Sequence, residues 1–284
     1  MHTLDLLLPR PEGERRPLFL IAGPCVIEDD RRGAGFTLGI ARKMAEILDR
    51  LGLPWIFKAS FDKANRTSQS SFRGPGLDAG LEGGLEVMGR IRTELGVPVL
   101  SDVHETSQVE AAAGVLDVLQ IPAFLCRQTD LLVTAARHAR ALNIKKGQFL
   151  APLDMRHALE KARGANGTER IALTERGTTF GYGNLIVDMT AIPTLRSLGA
   201  PVVFDATHSV QKPGGLGHAT GGRREMIPTL VLAAVAAGCD GLFMEVHQDP
   251  DQALSDGPNM LPLENLERLL TRALAVREAA ATGE

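Results

Sequence analysis

The sequence predicts a single-domain α/β protein folded as a (β/α)8 TIM barrel. Three observations point to it. Short apolar and β-branched runs alternate with longer segments of helical periodicity, and no linker or low-complexity stretch interrupts them. The alternation repeats eight times. Several of the short runs are continuously apolar, as parallel strands buried on both faces must be. A barrel of this kind takes about 250 residues, so it nearly exhausts a chain of 284. An open doubly wound sheet binding a dinucleotide should carry G-x-G-x-x-G after its first strand, and here that position reads GPCVIE.

Residues 1–17 read as a leading arm, and residues 18–284 as the barrel. The start, MHTLDLLLPRPEGERRPLFL, has a short leucine patch but also Asp5 and no small-residue cleavage site, unlike a signal peptide. LFLIAGP (18–24) is the first strand, and the apolar residues of GFTLGIARKMAEILDRLG after it recur at helical spacing. PWIFKAS is the second strand, with a helix expected from about Asp78 to Leu95. VPVLSDV pairs with a helix around TSQVEAAAG, and LDVLQIP with TDLLVTAARHARAL, where Thr129 and Asp130 suit the start as caps. NIKKG is a short strand before PLDMRHALEKAR, and ERIALTE precedes a loop and then MTAIPTLRSLG. APVVFDATHS leads to REMIPTLVLAAVAAG. CDGLFMEVH comes last, before a closing helix from about Pro262 to Ala281.

Lys and Arg number 31 against 34 for Asp and Glu, a net charge of −3 that argues against nucleic acid as a partner. No apolar run reaches the roughly 18 residues a membrane span needs. Three scattered cysteines without a C-x-x-C argue on spacing against a disulfide framework and favour a reducing cytoplasm. Against this near-neutral background, FKASFDKANRTSQSSFRGPGLD (57–78) gathers Lys58, Lys63, Arg66 and Arg73 in one loop.

Barrel active sites lie at the C-terminal ends of the strands. Those ends carry Cys25, Lys58, Asp102, Gln120, Lys145, Glu175 with Arg176, Asp205 with His208, and Glu245. Two chemistries separate on this rim. Lys58, Lys63, Lys145 and Arg176, joined by Arg66 and Arg127, are cationic and suit a small polyanion. Pairing with nearby acids is the plainer reading for each; it suits Arg127 beside Asp130 better than it suits the 58–73 loop. The second group is Cys25, His208, Glu245 and Asp256, a plausible ligand set for a divalent transition metal, although their separation in sequence announces no motif. Cys126 and Cys239 read as packing residues, and His104, beside acids at a helix start, as structural. KPGGLGHATGGRRE (212–225) lacks P-loop spacing and reads as a lid over residues 209–222. Lys63, His208 and Asp102 are the candidates for the chemistry itself.

The motifs IAGPCVIE, FKASFDKANRTS, GPGLDAGLE, LSDVHE, DVLQIPAFLCRQTDLL, NIKKGQF, TERGTTFGYGNLIVDM, FDATHSVQ, GGRRE, FMEVHQDP and SDGPNMLPL together resemble the 3-deoxy-D-manno-octulosonate 8-phosphate synthase family over about residues 18–270. The resemblance implies a transferase of lipopolysaccharide biosynthesis. It would condense phosphoenolpyruvate with D-arabinose 5-phosphate, in the manner of an aldol reaction, and release inorganic phosphate. It further implies that Lys58 and Lys63 face phosphoenolpyruvate, with Gln120, Lys145 and Arg176 as further contacts. Asn65, Arg66 and Thr67 or Ser68 would hold the sugar phosphate. Cys25 marks the metal-dependent branch, where Asn stands in the other, and His208, Glu245 and Asp256 match the remaining ligands. Zn, Fe, Mn and Co all suit that set. Homotetramers are implied too, with the PAFLCRQ loop and its Arg127 reaching a neighbour's site. The nearest alternative family makes 3-deoxy-D-arabino-heptulosonate 7-phosphate from erythrose 4-phosphate, and its members tend to carry KPRTSP where this chain has KANRT. A non-catalytic sugar-phosphate binder would need neither the metal cluster nor sites for two anions.

Overall fold

In a computed structural model, described over residues 2–9, 11, 14, 16–64, 68, 71–77, 83–179, 183–212 and 221–281, the eight expected strands form a closed parallel barrel. They are β1 (Phe19–Gly23), β2 (Trp55–Lys58), β3 (Val99–Asp102), β4 (Val118–Ile121), β5 (Ala141–Lys145), β6 (Ile171–Glu175), β7 (Val202–Asp205) and β8 (Gly241–His247). Each strand pairs with the next, and β1 closes the ring on β8 with Phe19 opposite Gly241 and Gly23 opposite Glu245. That closing register sets a bare backbone beside Glu245 at the mouth.

The continuous burial of every strand has a simple cause. Alternate side chains point to opposite faces, and both faces are covered. Phe19, Ile21, Ile56, Leu100, Val118, Ala172, Val203 and Phe243 fill the interior, while Leu20, Ala22, Phe57, Leu119, Leu142 and Phe204 meet the helices outside. The leading residues belong to this interior. Thr3–Leu7 form a 3-10 turn whose Leu4, Leu6 and Leu7 are buried in the inner cluster. Arg170, just ahead of β6, donates to Asp5 at 2.9 Å, which fixes this turn at the N-terminal end of the barrel. Burying each leucine is worth about 1.5–3 kcal/mol before chain entropy is counted.

Besides a single helical turn at Asp29–Arg32, the helices are α1 (Phe36–Leu51), α2 (Gly84–Leu95), α3 (Thr106–Val115), α4 (Thr129–His138), α5 (Met155–Arg163), α6 (Ala191–Arg196), α7 (Ile227–Ala236) and α8 (Leu266–Ala281). Several boundaries differ from the expectation. Residues 78–82 lie outside the described residues, and α2 runs from Gly84. The α4 segment does not continue to Leu142: Ala141 and Leu142 pair with Val118 and Leu119, and Leu142 also pairs with Ile171, so β5 claims both. Gln128 holds the cap position of α4, and neither it nor its neighbours make a side-chain cap bond there, so Thr129 and Asp130 are first-turn residues. Residues Leu263–Asn265 form a 3-10 turn ahead of α8. No helix among the described residues is long and apolar enough to cross a membrane, and the three cysteines are free and buried.

Two features shape the mouth. Gly23 lets β1 approach β2 closely, since a Cβ there would stand 2.0 Å from the Lys58 carbonyl oxygen. Residues 213–220 of the glycine-rich stretch expected to form a lid lie outside the described residues. Its two ends pair as a short antiparallel ribbon, Gln211 with Gly222 and Lys212 with Gly221.

Candidate active site

Because all eight strands run the same way, their last residues converge on one mouth, and most of the expected groups meet there. Lys58, at the end of β2, is buried and donates to Glu245 Oε1 at 2.7 Å and to the Cys25 carbonyl at 2.8 Å. Lys63 Nζ lies 3.7 Å from the same Glu245 oxygen. Lys145 donates to Asp205 Oδ2 at 2.7 Å and stands 3.7 Å over the Phe243 ring, so an interior aromatic carries the ammonium on its electron-rich face. Gln120 accepts from Asn143 at 3.0 Å, and Asn143 in turn accepts from Thr174 at 2.7 Å. This ladder ties β4, β5 and β6 in one layer below the mouth.

The lysines thus have carboxylate partners after all, and so does Arg73, which forks onto Asp62. Sequence alone predicts less pairing in the 58–73 loop. Burial explains the difference, because a lysine at 1% exposure must be paired or lose its proton. Arg176 is the exception that points to a ligand. It is buried, one amino group donates to Gln211 Oε1 at 2.7 Å, and Nη1 has no hydrogen-bond partner. A buried guanidinium with an unused donor suits an anion's oxygen.

Cys25, Glu245 and Asp256 offer a sulfur and two carboxylate oxygens that all lie within 4.8 Å of one another. His208 completes the group, its Nε2 3.8 Å from Glu245 Oε1 and 4.0 Å from Asp256 Oδ2. Bond lengths of about 2.0–2.3 Å around a tetrahedral ion put neighbouring donor atoms about 3.4 Å apart, so modest inward movement would close the set. The chemistry of the donors fits as well. His208 Nδ1 faces Asp205 Oδ2 at 2.8 Å, closer than the Lys145 ammonium at 3.5 Å, so this nitrogen carries the proton and Nε2 turns a lone pair to the cluster. That arrangement is the carboxylate–histidine pairing which orients metal-bound imidazoles. Glu245 Oε2, wholly buried, has no hydrogen-bond partner and is open to a cation.

Protonation follows from burial and neighbouring charge. Burial, then the Glu245 charge, pushes the Cys25 thiol far above its usual range, so it would ionise only as a cation took the proton's place. Burial works against the Glu245 carboxylate too, but Lys58, Lys63 and His208 outweigh it and hold it well below the carboxylate range. Burial lowers His208 and keeps the imidazole neutral, as a ligand must be. For Lys63, burial favours the free amine, yet the neighbouring Cys25 and the carboxylates of Glu245, Asp102 and Asp256 prevail, and its pKa is raised well above the ordinary value.

Sequence reading missed part of this site. His104, expected to be structural, meets Asp102 Oδ2 through its Nε2 at 3.1 Å, while Ser60 donates to Asp102 Oδ1 at 2.5 Å. Despite burial, His104 holds the Asp102 carboxyl well below its usual range. The pair is written in SDVHE as i and i+2 at a strand end, a spacing that does not by itself announce contact. Ser255, whose hydroxyl is 3.0 Å from Cys25 Sγ, had no sequence signal beyond its place beside Asp256. Other expectations were not brought into the cluster. Asn65, Arg66 and Thr67 lie outside the described residues. Ser68 is half-buried, its carbonyl accepting from Ser71. Arg127 is exposed on the loop after β4, and among the described residues no ion pair joins it to Asp130.

Comparison with known proteins adds a second line. The profile of the DAHP synthetase I family matches residues 10–281. Among individual relatives, the 2-dehydro-3-deoxyphosphooctonate aldolase of Alkalilimnicola ehrlichii is 58% identical over 91% of this chain and 90% of its own length. The proteins of that name from Trichlorobacter lovleyi and Syntrophotalea carbinolica are 58% and 56% identical, each over 93% of this chain and 94% and 92% of their own lengths.

Proposed function

The chain belongs to the DAHP synthetase I family, and we propose that it condenses phosphoenolpyruvate with D-arabinose 5-phosphate to 3-deoxy-D-manno-octulosonate 8-phosphate and inorganic phosphate. That product is the phosphooctonate in the name shared by the relatives of 56–58% identity. The observation that carries the reading is one mouth holding both a Cys/His/Glu/Asp cluster and the buried cations Lys58, Lys63, Lys145 and Arg176.

In the proposed reaction, carbon 3 of phosphoenolpyruvate forms the new bond to the sugar's aldehyde carbon, and the aldehyde oxygen takes up a proton. Water adds its oxygen at carbon 2, and the C–O bond to phosphate then breaks, so inorganic phosphate leaves. Arg176, with its unused Nη1, together with Lys58, Lys63, Lys145 and Gln120, binds and orients phosphoenolpyruvate. Fixed cations of this kind stabilise charge that develops in the transition state without reorganising. Asp102 is held ionised and near Lys63, and takes the proton of the attacking water, while His104 and Ser60 fix its orientation. Asn65, Arg66, Thr67 and Ser68 hold the sugar phosphate. Cys25, His208, Glu245 and Asp256 hold a divalent ion, with Zn, Fe, Mn and Co all suited to the donors. When bound, such an ion supplies Lewis acidity to a carbonyl or water oxygen.

The large apolar side chains exposed among the described residues, Phe124, Phe149, Leu153 and Ile186, sit on the loops after β4, β5 and β6. Neighbouring strands carry these loops, and Arg127 lies on the first of them. These side chains support assembly of copies through that face; the assembly we propose is a homotetramer, with Arg127 presented to another copy, and the compartment we propose is the cytoplasm.

Acceptor choice tests the reading. Phosphate release from phosphoenolpyruvate is expected to be faster with arabinose 5-phosphate than with erythrose 4-phosphate by at least about 100-fold in kcat/KM, a difference of about 2.7 kcal/mol in transition-state binding. Preference for erythrose 4-phosphate would assign the heptulosonate reaction instead, and binding without phosphate release from either would leave a sugar-phosphate binder.

A further inference from the structure

A second buried charge network lies behind the Cys25 loop, and the chemistry above does not use it. Glu28 follows Cys25 by three residues and is fully buried. Its Oε2 accepts from Arg32 Nε at 2.5 Å, and its Oε1 accepts from the Leu254 backbone N–H at 3.0 Å. Arg32 in turn donates through Nη2 to the Gln252 carbonyl. One carboxylate and its arginine therefore grip both a donor and an acceptor of the backbone segment that follows β8. His247, the last residue of β8, also faces Glu28, with Nε2 3.9 Å from Oε1.

What that segment carries gives the grip its meaning. Directly after Leu254 come Ser255, with its hydroxyl 3.0 Å from Cys25 Sγ, and Asp256, with Oδ2 3.6 Å from the same sulfur. Asp256 has φ +49°, in the left-handed region that residues with a side chain rarely adopt. Such a conformation persists only where the surroundings impose it. Two contacts hold the far side: Arg224 donates to the Gly257 carbonyl at 2.8 Å, and Gly257 packs so closely that a Cβ would stand 2.3 Å from the Pro250 carbonyl oxygen. On the near side the Glu28–Arg32 pair makes the corresponding attachment.

We infer that Glu28 is a positioning residue for the metal: with Arg32, it fixes residues 252–254 so that Asp256 arrives opposite Cys25 in ligand position. The inference rests on the reading of Cys25, His208, Glu245 and Asp256 as metal ligands. A purely structural Glu28 would affect stability alone, so affinity for the ion is the quantity that separates the two roles.

The test titrates metal-free protein with Co(II) and follows the thiolate-to-cobalt charge-transfer band, with the thermal midpoint measured alongside. Asp117→Asn is the control for a lost buried carboxylate. Asp117 is buried ahead of β4, away from the mouth, and makes an analogous grip on the Val99 N–H and on Arg140, each at 3.1 Å. Glu28→Gln is expected to raise the Co(II) dissociation constant about tenfold or more, the range for outer-shell partners of metal ligands. Asp117→Asn is expected to lower the thermal midpoint while changing that constant less than about twofold. Arg32→Lys keeps the charge beside Glu28 but loses the fork onto Gln252, and reads the same clamp if Glu28→Gln does not fold. It is expected to weaken Co(II) by severalfold. Unweakened Co(II) binding in Glu28→Gln, or in Arg32→Lys standing in for it, overturns the inference and leaves the metal site intact. No thiolate band in the unmutated protein would overturn the metal reading and this inference together.

Discussion

Replacing Cys25 with Ala is expected to remove metal binding and turnover together, lowering kcat/KM by more than about 100-fold, the upper range for mere outer-shell partners. The sulfur lies within 4.8 Å of the Glu245 and Asp256 carboxylate oxygens, and those three donors with His208 make up the candidate set. Without the thiolate, two carboxylates and an imidazole remain, a set that still attracts hard cations but has lost its one soft ligand. Folding should suffer little. Cys25 is buried, but losing one sulfur atom leaves a small cavity, and the backbone carbonyl that accepts from Lys58 stays in place. Metal content by elemental analysis, paired with phosphate release, checks this. A Cys25→Ala protein that is fully active without metal would remove the cysteine from the ligand set. Cys25→Ser, which keeps a polar atom facing Ser255, separates loss of the ligand from loss of the hydrogen bond.

Lys63→Ala should be nearly as damaging to turnover, by about 10²–10³-fold, the usual effect of removing one preorganised electrostatic group. Its neighbours explain why the fold should tolerate the change. Glu245, the carboxylate nearest to Lys63, keeps its shorter contact of 2.7 Å to Lys58. No buried charge is therefore left unpaired, which is the usual route to a large loss of stability. The expected signature is a collapsed kcat/KM with a denaturation midpoint close to that of the unmutated chain. An unfolded Lys63→Ala protein would mean that the lysine serves the packing of the mouth, and Lys63→Arg would then be the informative variant.

Much of the fold was legible because it rests on periodicity. A strand such as FLIAG buries both faces and so reads as an apolar run, and helices such as α1 announce their buried stripe. The α4–β5 boundary was misplaced because Ala141 and Leu142 satisfy a helical pattern equally well. Only their pairing with β4 and β6, which is non-local, decides the matter. The candidate site was legible for a similar reason: the C-terminal end of a strand is known once the strand is known, which delivers Lys58 and Lys145 as last residues and Cys25 and Glu245 within two residues of an end. Partners were harder to see. Asp205 facing His208, His104 facing Asp102 and Ser255 facing Cys25 depend on side-chain direction, which spacing does not encode. Glu28 gave no sign at all, since its contact at Leu254, and that of its partner Arg32 at Gln252, lie more than two hundred residues away along the chain.

Metal removal tests the proposed reaction most directly. The purified protein would be assayed for octulosonate 8-phosphate formation from phosphoenolpyruvate and arabinose 5-phosphate, then stripped with chelator, its metal content verified, and assayed again. Product formation should fall by more than about 100-fold on stripping and return on adding back Zn, Mn, Co or Fe, because the four donors then lack the ion whose Lewis acidity they hold in place. Full activity in protein verified as metal-free would contradict the assignment of Cys25, His208, Glu245 and Asp256 as a catalytic metal site.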